Sequence, residues 1–489
     1  MKGLEQVCKT KPYQHQLDAI KEADNKVGFG YLMEMGTGKS KCLLDDAGIL
    51  YLKNSINFLL IVAPKGVYQN WVNAEIPVHL SDDIERNVVR WTPSPNKKQI
   101  EKLKGLQTAS DGQLDILVMN VEAFSTRKGN MFATHLADQR GRYGMIAVDE
   151  STTVKNHKAK RTKNLIKIAH KFFYRRILTG SPVTNNPMDL YSQFHLLSQK
   201  ILGCNNFYTF QNRYAWLQKV SGQSHTYQQI LGYRNLDELS DKIKNFSFRV
   251  LKKDCLDLPP KTYTVRHVSL STEQIQMYME LKREAMIILE DDLVSAPQVI
   301  TQMLRLQQVL SGHVRTDDGE LIEIPNKRID ALLDTISEIE GKVLIWSRFR
   351  YDIQKITQTL NKAYGQGCAR AYYGDTSDAD RQQIINSFQD KDSPLRFFVG
   401  NPQTAGLGLT LTAANTVVYY ANDFNLETRI QSEDRCHRIG QNNPVTYVDL
   451  IAEGTIDERV VKALQNKLDL SAKVLKEERK QWLELTPKK

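Results

Sequence analysis

The sequence predicts an α/β protein of two doubly wound parallel-sheet lobes with a helical insertion between them. Three observations carry this. Short apolar runs alternate with polar, helix-like stretches over the first part of the chain; a long, mainly helical and more aromatic segment follows; the alternation then restarts at Lys342. A strand buried on both faces reads as an unbroken apolar run. Strands alternating with helices build an open sheet that binds ligands at the carboxyl ends of its strands.

In the first lobe, residues 1–195, the runs Phe58–Ala63 (FLLIVA), Ile116–Asn120 (ILVMN), Met145–Val148 (MIAV) and Arg176–Thr179 (RILT) are the expected strands. Each is short, rich in Leu or β-branched residues, and followed by a polar loop. Residues 196–257 are expected as a helical insertion returning to that lobe. Residues 258–335 are expected as a linker, opened by Leu258-Pro259-Pro260-Lys261, and a second helical insertion. Paired prolines break helices and favour extended chain. From 190 to 335 the only expected strand lies around Tyr263–Val268. Lys342–Trp346 (KVLIW), Arg396–Gly400 (RFFVG), Thr416–Tyr420 (TVVYY) and Val445–Leu450 (VTYVDL) form the second lobe, residues 336–460. Residues 461–489 read as a C-terminal helix and basic tail, which suits either a solvated helix or a nucleic-acid arm.

The chain has 489 residues, enough for about three units at the usual domain size. Its longest apolar runs fall far short of the roughly 20 residues that span a bilayer. The start, MKGLEQVCKTKPYQ, lacks the apolar stretch of a signal peptide, so the protein is expected inside the cell, cytoplasmic or nucleoid-associated. Cys8, Cys42, Cys204, Cys255, Cys368 and Cys436 form no C-x-x-C pair, which argues against a disulfide framework or structural zinc. With 66 Lys and Arg against 56 Asp and Glu, the net charge is +10. A polyanionic partner suits that surplus, though a merely basic enzyme carries it too.

Glu34–Ser40 (EMGTGKS) closes the apolar Tyr31-Leu32-Met33 and opens a helix-like run. A turn of this kind wraps backbone N–H groups of Gly36, Thr37 and Gly38 and a helix N-terminus around phosphate oxygens. Lys39 then reaches the outer phosphates, and the Ser40 hydroxyl can bind Mg²⁺. The full Gly-rich pattern wants glycine at position 33, where Met33 stands. Asp149 and Glu150 directly follow a strand, Ile146-Ala147-Val148. There Asp149 can hold Mg²⁺ through its water shell, and Glu150 can orient or deprotonate the attacking water. The two elements together read as a Mg²⁺-using nucleoside triphosphatase. In the second lobe, Gln431–Gln441 (QSEDRCHRIGQ) holds Arg435 and Arg438, three apart and so on one face if the segment is helical. Such arginines can stabilise charge on a transferring phosphoryl group; an ordinary ion-pair helix has the same spacing. With the arginine supplied by the second lobe, hydrolysis would require lobe closure, and closure can become motion along a track.

These residues resemble the Swi/Snf-type ATPases of the DEAD/DEAH-box helicase superfamily, in the family's order and along nearly the whole chain. Pro12-Tyr13-Gln14 is similar to its adenine-reading motif, which implies Gln14 as a base contact. Glu34–Ser40 resembles its phosphate loop, which also lacks the glycine at 33. Ala63-Pro64-Lys65 with Asn70-Trp71 matches its first nucleic-acid-contacting motif. Asp149–Thr152 with Lys155-Asn156 matches its Asp-Glu box, and Leu178–Asn186 (LTGSPVTNN) the stretch that couples the lobes. Leu251–Asp254, Ser347-Arg348, Gly374 with Arg381, Ala405–Leu411 (AGLGLTL), Gln431–Gln441 and Glu453–Arg459 complete the set. The resemblance implies RecA-like lobes, with Gly408 as a further nucleotide contact. It implies catalytic roles for Lys39, Asp149, Glu150, Arg435 and Arg438, and nucleic-acid contacts at Pro64, Lys65, Gly180, Ser181, Arg348 and Thr410.

Four positions depart from the family pattern: Thr410 where asparagine is usual, Phe424 where tryptophan is usual, and Ser151-Thr152 in place of Gly-His. None removes a catalytic carboxylate, lysine or arginine, so an active ATPase is expected, in a compact core like those of small bacterial or viral members. The implied activity is movement along duplex DNA, remodelling protein–DNA or branched DNA, with affinity that is non-specific and salt-sensitive. A strand-separating helicase and a nucleotide-gated DNA-binding scaffold remain alternatives. A protein partner that directs the motor is compatible with this reading, as is a working monomer. Lys155–Lys163 (KNHKAKRTK), with five Lys and Arg in nine residues, suits a nucleic-acid track or a solvated helix start. Phe207, Tyr208, Phe210, Tyr214 and Trp216 are expected as insertion core, base stacking being the other use for such aromatics.

Overall fold

The computed structural model describes residues 8–65, 67–221, 226–290, 296–315, 319–405 and 409–478. They fall in two compact units. The first comprises residues up to Gln218 together with Gln229–Asp257 and Leu470–Glu478; the second comprises Lys219–Gln228 and Leu258–Asp469.

The first unit is built on β1 (Gly28–Met33), β2 (Phe58–Ala63), β3 (Arg86–Arg90), β4 (Leu114–Asn120), β5 (Gly144–Asp149), β6 (Tyr174–Leu178) and, past the insertion, β9 (Ser247–Val250). They pair in the order β3-β4-β2-β5-β6-β1-β9. Every pairing is parallel. The insertion contains the helix Phe207–Tyr214, then β7 (Ala215–Ser221) and β8 (Thr226–Tyr233), which form a two-stranded sheet of their own. Chain alternation shows why β2 reads as an unbroken apolar run. Phe58, Leu60 and Val62 enter one core with Ile146 and Val148. Leu59, Ile61 and Ala63 enter another with Met145 and Ala147. Both faces are covered, as a parallel sheet requires.

The second unit holds β10 (Lys261–Val268), a short antiparallel hairpin β11 (His313–Arg315) and β12 (Leu321–Glu323), then β13 (Lys342–Trp346), β14 (Ala369–Tyr372), β15 (Phe397–Gly400), β16 (Ala414–Tyr419) and β17 (Val445–Ala452). Its parallel sheet runs β10-β17-β16-β13-β15-β14. Val343 and Ile345 face one core, Leu344 and Trp346 the other. The fold class is therefore the one the sequence predicts, two doubly wound parallel-sheet lobes.

Residues 190–335 are mainly helical as expected, but the expectation of no strand there besides Tyr263–Val268 needs correction. β7, β8, β9, β11 and β12 all lie there besides the expected β10. These strands are short or belong to small sheets, and Ser247–Val250 carries mixed polarity because it lies at a sheet edge. The aromatics of the insertion divide: Phe210 and Tyr214 are fully buried, whereas Tyr208 and Trp216 are more than half exposed.

One buried ion network organises the second sheet. The Arg429 guanidinium donates to both Asp449 oxygens (2.6 and 2.9 Å), to Glu433 (2.9 Å) and to the Asn422 side-chain Oδ1 (2.7 Å). It also lies over the Tyr419 ring at 3.4 Å. Removing one partner of such a cluster strands the others in low dielectric. Arg429→Met is expected to destabilise the second unit by about 3–5 kcal/mol, read as a fall in the urea midpoint of its unfolding transition. An unchanged midpoint would show that the carboxylates find other partners.

Candidate nucleotide and nucleic-acid site

In the first unit the carboxyl ends of four strands carry the residues singled out there other than Gln14, which opens the helix Gln14–Ala23. β1 runs into the phosphate loop, β2 into Pro64-Lys65, β5 ends at Asp149, and β6 is followed by Gly180-Ser181. Asp149 is in register with Leu178 of β6, which in turn pairs with Tyr31 of β1.

The phosphate loop turns through Gly36 (φ 80°) and Gly38 (φ 90°), both in the left-handed region that favours glycine. A Cβ on Gly38 would come within 2.1 Å of the Gln16 Nε2. The helix Lys39–Leu52 starts there with no side-chain cap, so its first N–H groups are available to an anion. Lys39 is half-buried and its Nζ donates to the carbonyls of Met33 (3.0 Å) and Glu34 (3.4 Å), which holds the ammonium over the loop. The Thr37 hydroxyl donates to the Glu34 carbonyl at 2.7 Å. Ser40 occupies the second helical position.

The loop is braced from the helix Gln14–Ala23 by two side chains that sequence reading passed over. Gln16 Nε2 donates to the Thr37 carbonyl (3.1 Å), and His15 Nε2 lies 2.8 Å from the same oxygen. Gln14, in contrast, is exposed and its amide donates to Asp18. Both side chains are buried and so need partners, but nothing in the local sequence marks them as buried.

Asp149 is buried. Its Oδ2 accepts the indole N–H of Trp71 (2.9 Å), and its Oδ1 accepts the Glu150 N–H (3.0 Å). Burial pushes this carboxyl above the usual range, against the pull of the Trp71 N–H and the nearby Lys39 ammonium. Glu150 takes a left-handed backbone, φ 45° and ψ 61°. For a non-glycine residue that costs on the order of 1–3 kcal/mol, and such strain clusters at functional sites. The turn behind it is fastened: the Ser151 hydroxyl donates to Gln193 (2.6 Å), whose amide donates to the carbonyls of Pro182 and Asp189. Lys155 Nζ donates to Thr184, so the Asp-Glu turn and the Leu178–Asn186 stretch are tied together. Arg249 adds bonds to the carbonyls of Leu32 (2.8 Å) and Gly180 (2.9 Å). The hydroxyl and carboxylate oxygens here are the hard donors that Mg²⁺ takes alongside nucleotide phosphates.

Pro64 is buried and Lys65 exposed; Gly180 is buried and Ser181 half-buried. Trp71, read from sequence with the nucleic-acid motif, instead points inward to Asp149, with 1% exposure.

In the second unit Arg435 and Arg438 do not share a helical face. The helix Leu426–Glu433 ends before them, and they lie in the turns that follow. They still converge: both guanidinium groups donate to the Leu409 carbonyl, at 3.3 and 3.1 Å. Arg435 is buried and Arg438 half-buried. Gln441 fastens the segment, its amide donating to the carbonyls of Ala414 (2.8 Å), Thr412 (3.2 Å) and Cys436 (3.3 Å). Arg348, just past β13, donates to Gln307 (2.6 Å) and lies 3.5 Å from Asp423. Thr410 is half-buried; Gly408 lies outside the described residues.

An SNF2-related domain matches residues 19–314 and a helicase conserved C-terminal domain residues 327–440. The chain belongs to the SNF2-related family. Its SNF2-related part carries the phosphate loop and the Asp-Glu turn, and its helicase C-terminal part carries Arg348, Thr410, Arg435 and Arg438. A probable chromatin-remodeling complex ATPase chain of Oryza sativa is 26% identical over 91% of this chain and 39% of its own length. The SWI/SNF chromatin-remodeling complex subunit snf22 of Schizosaccharomyces pombe is 26% identical over 90% of this chain and 26% of its own. The SWI2/SNF2 ATPase core of Sulfolobus solfataricus in complex with dsDNA aligns over 95% of this chain and 92% of that one, at 22% identity and a TM-score of 0.42. This SNF2-related chain thus spans about a quarter to two fifths of the length of those curated relatives. Among its described residues no helix is long and apolar enough to cross a membrane.

Proposed function

We propose that this SNF2-related protein hydrolyses ATP to move along duplex DNA, displacing bound protein or remodelling branched DNA. The observation that carries the reading is the shared sheet edge of the first unit: the phosphate loop, Asp149-Glu150, Pro64-Lys65 and Gly180-Ser181 all follow carboxyl ends of neighbouring strands. Nucleotide chemistry and a phosphate-backbone contact would then act through one rigid layer. The +10 net charge suits a polyanionic track. The names of the relatives, a chromatin-remodeling complex ATPase chain and a SWI/SNF chromatin-remodeling complex subunit, support the same class.

In this reading Lys39 and the uncapped helix start hold the outer phosphates, and Gln14 reads the base. Ser40 and Asp149 are the residues that would hold Mg²⁺, which supplies charge neutralisation at the phosphates. Glu150 orients the attacking water and takes up its proton. Arg435 and Arg438 stabilise the charge that develops on the transferring phosphoryl group. Lys65, Ser181, Arg348 and Thr410, with the backbone at Pro64 and Gly180, meet DNA phosphates.

The test is ATP turnover measured alone and with duplex DNA, single-stranded DNA or RNA. Duplex DNA is expected to stimulate most, with its half-saturating concentration rising at least about tenfold between about 50 and 200 mM salt as phosphate contacts are screened. Stimulation chiefly by single strands would replace the translocase with a strand-separating helicase. Absence of hydrolysis with all three would leave a nucleotide-gated DNA-binding scaffold.

A further inference from the structure

Trp71 is part of a core of the first unit, and core packing alone does not fix where its N–H points. It opens a π-helical turn, Trp71–Glu75, set between the helical turns Tyr68–Asn70 and Ile76–His79. Such wide turns are rare, cluster at functional sites, and re-aim a side chain from where a regular helix would send it. Here the indole N–H is aimed at the Asp149 carboxylate, 2.9 Å away, with both residues buried. Any backbone carbonyl would satisfy a buried indole. A carboxylate that already accepts the Glu150 N–H on its other oxygen gains something more specific, a fixed direction for its remaining lone pairs.

The other end of this segment is the Pro64-Lys65 turn. The Pro64 carbonyl accepts the N–H groups of Val67 (2.9 Å) and Tyr68 (3.0 Å), and the Val67 carbonyl accepts those of Asn70 (2.8 Å) and Trp71 (3.4 Å). These backbone bonds at Pro64 and Val67 therefore link the segment that carries the exposed Lys65 to the buried indole. Asn70 Nδ2 also donates to Glu75 at 3.0 Å, spanning the wide turn.

We infer that Trp71 is a positioning residue that orients Asp149 for the Mg²⁺-nucleotide and makes that orientation respond to a phosphate held at the Pro64-Lys65 turn. The inference rests on the reading of the protein as a Mg²⁺-dependent, DNA-stimulated ATPase. Engagement of Lys65 shifts the Pro64 carbonyl and the Val67 and Tyr68 N–H groups bonded to it, the shift moves the indole, and the carboxylate follows.

Fluorescent mant-ADP binding, with and without Mg²⁺ and with and without duplex DNA, tests this without turnover. Two variants are compared: Trp71→Phe, and a site-specific 3-benzothienylalanine at position 71, which keeps the fused rings and lacks only the N–H. Loss of an outer-shell partner typically costs about 10–100-fold in metal affinity. Both variants are expected to bind mant-ADP normally without Mg²⁺, to need about tenfold more Mg²⁺ for half-maximal tightening, and to lose the further tightening by duplex DNA. In an Asp149→Ala background, which removes the acceptor, the same replacements should add nothing, because the cycle isolates the one bond. An isostere whose Mg²⁺ and DNA responses equal those of the unsubstituted protein overturns the inference alone. An unsubstituted protein whose nucleotide affinity ignores Mg²⁺ overturns the ATPase reading and the inference with it.

Discussion

Lys39→Ala is expected to lower ATP turnover by about 10²–10³-fold, the cost of removing one preorganised donor from a phosphoryl-transfer site. The reason is positional. The backbone N–H groups at the start of the helix Lys39–Leu52 remain in the variant, so part of the phosphate cradle survives. What disappears is the ammonium that the Met33 and Glu34 carbonyls hold over that cradle. Phosphate release under saturating ATP measures the loss, and a melting temperature close to that of the unsubstituted protein shows that folding is intact. Turnover within tenfold of normal would move the phosphate site elsewhere.

Glu150→Gln should abolish hydrolysis as thoroughly while leaving ATP bound. General base catalysis contributes about 10²–10⁴-fold, and the amide keeps the length and shape of the side chain without its basicity. The Asp149 carboxylate keeps its two N–H donors in this variant, one of them the backbone N–H of residue 150 itself. Filter binding of ATP beside single-turnover hydrolysis separates the two effects. A variant that hydrolyses at a normal rate would falsify the role given to Glu150.

How much of this was legible in the sequence follows from burial. β2, β5, β13 and β16 lie inside their sheets with both faces covered, so FLLIVA, MIAV, KVLIW and TVVYY announce them. β3, β9 and β14 lie at sheet edges, where only one side is paired. RNVVR, SFRV and ARAY carry exposed or half-exposed arginines and read as loops or helix. The phosphate loop and the Asp-Glu turn were legible because their chemistry demands particular residues at adjacent positions. The supports were not. Gln16, Trp71 and Arg249 act on Thr37, Asp149 and Gly180 from 21, 78 and 69 positions away. No local spacing encodes such a contact. The arginine pair failed in a different way: Arg435 and Arg438 share a target because a turn folds them onto the Leu409 carbonyl, whereas spacing alone suggested a helix.

The left-handed backbone at Glu150 has an evolutionary side. Glycine and asparagine adopt φ 45° at little or no cost, and glutamate does not. A screen that rewards heat resistance alone would therefore favour replacing this glutamate, and each step toward a tougher fold at that codon would be a step away from a working ATPase. Laboratory stabilisation of the chain accordingly has to hold position 150 fixed and draw its gains from residues remote from the end of β5.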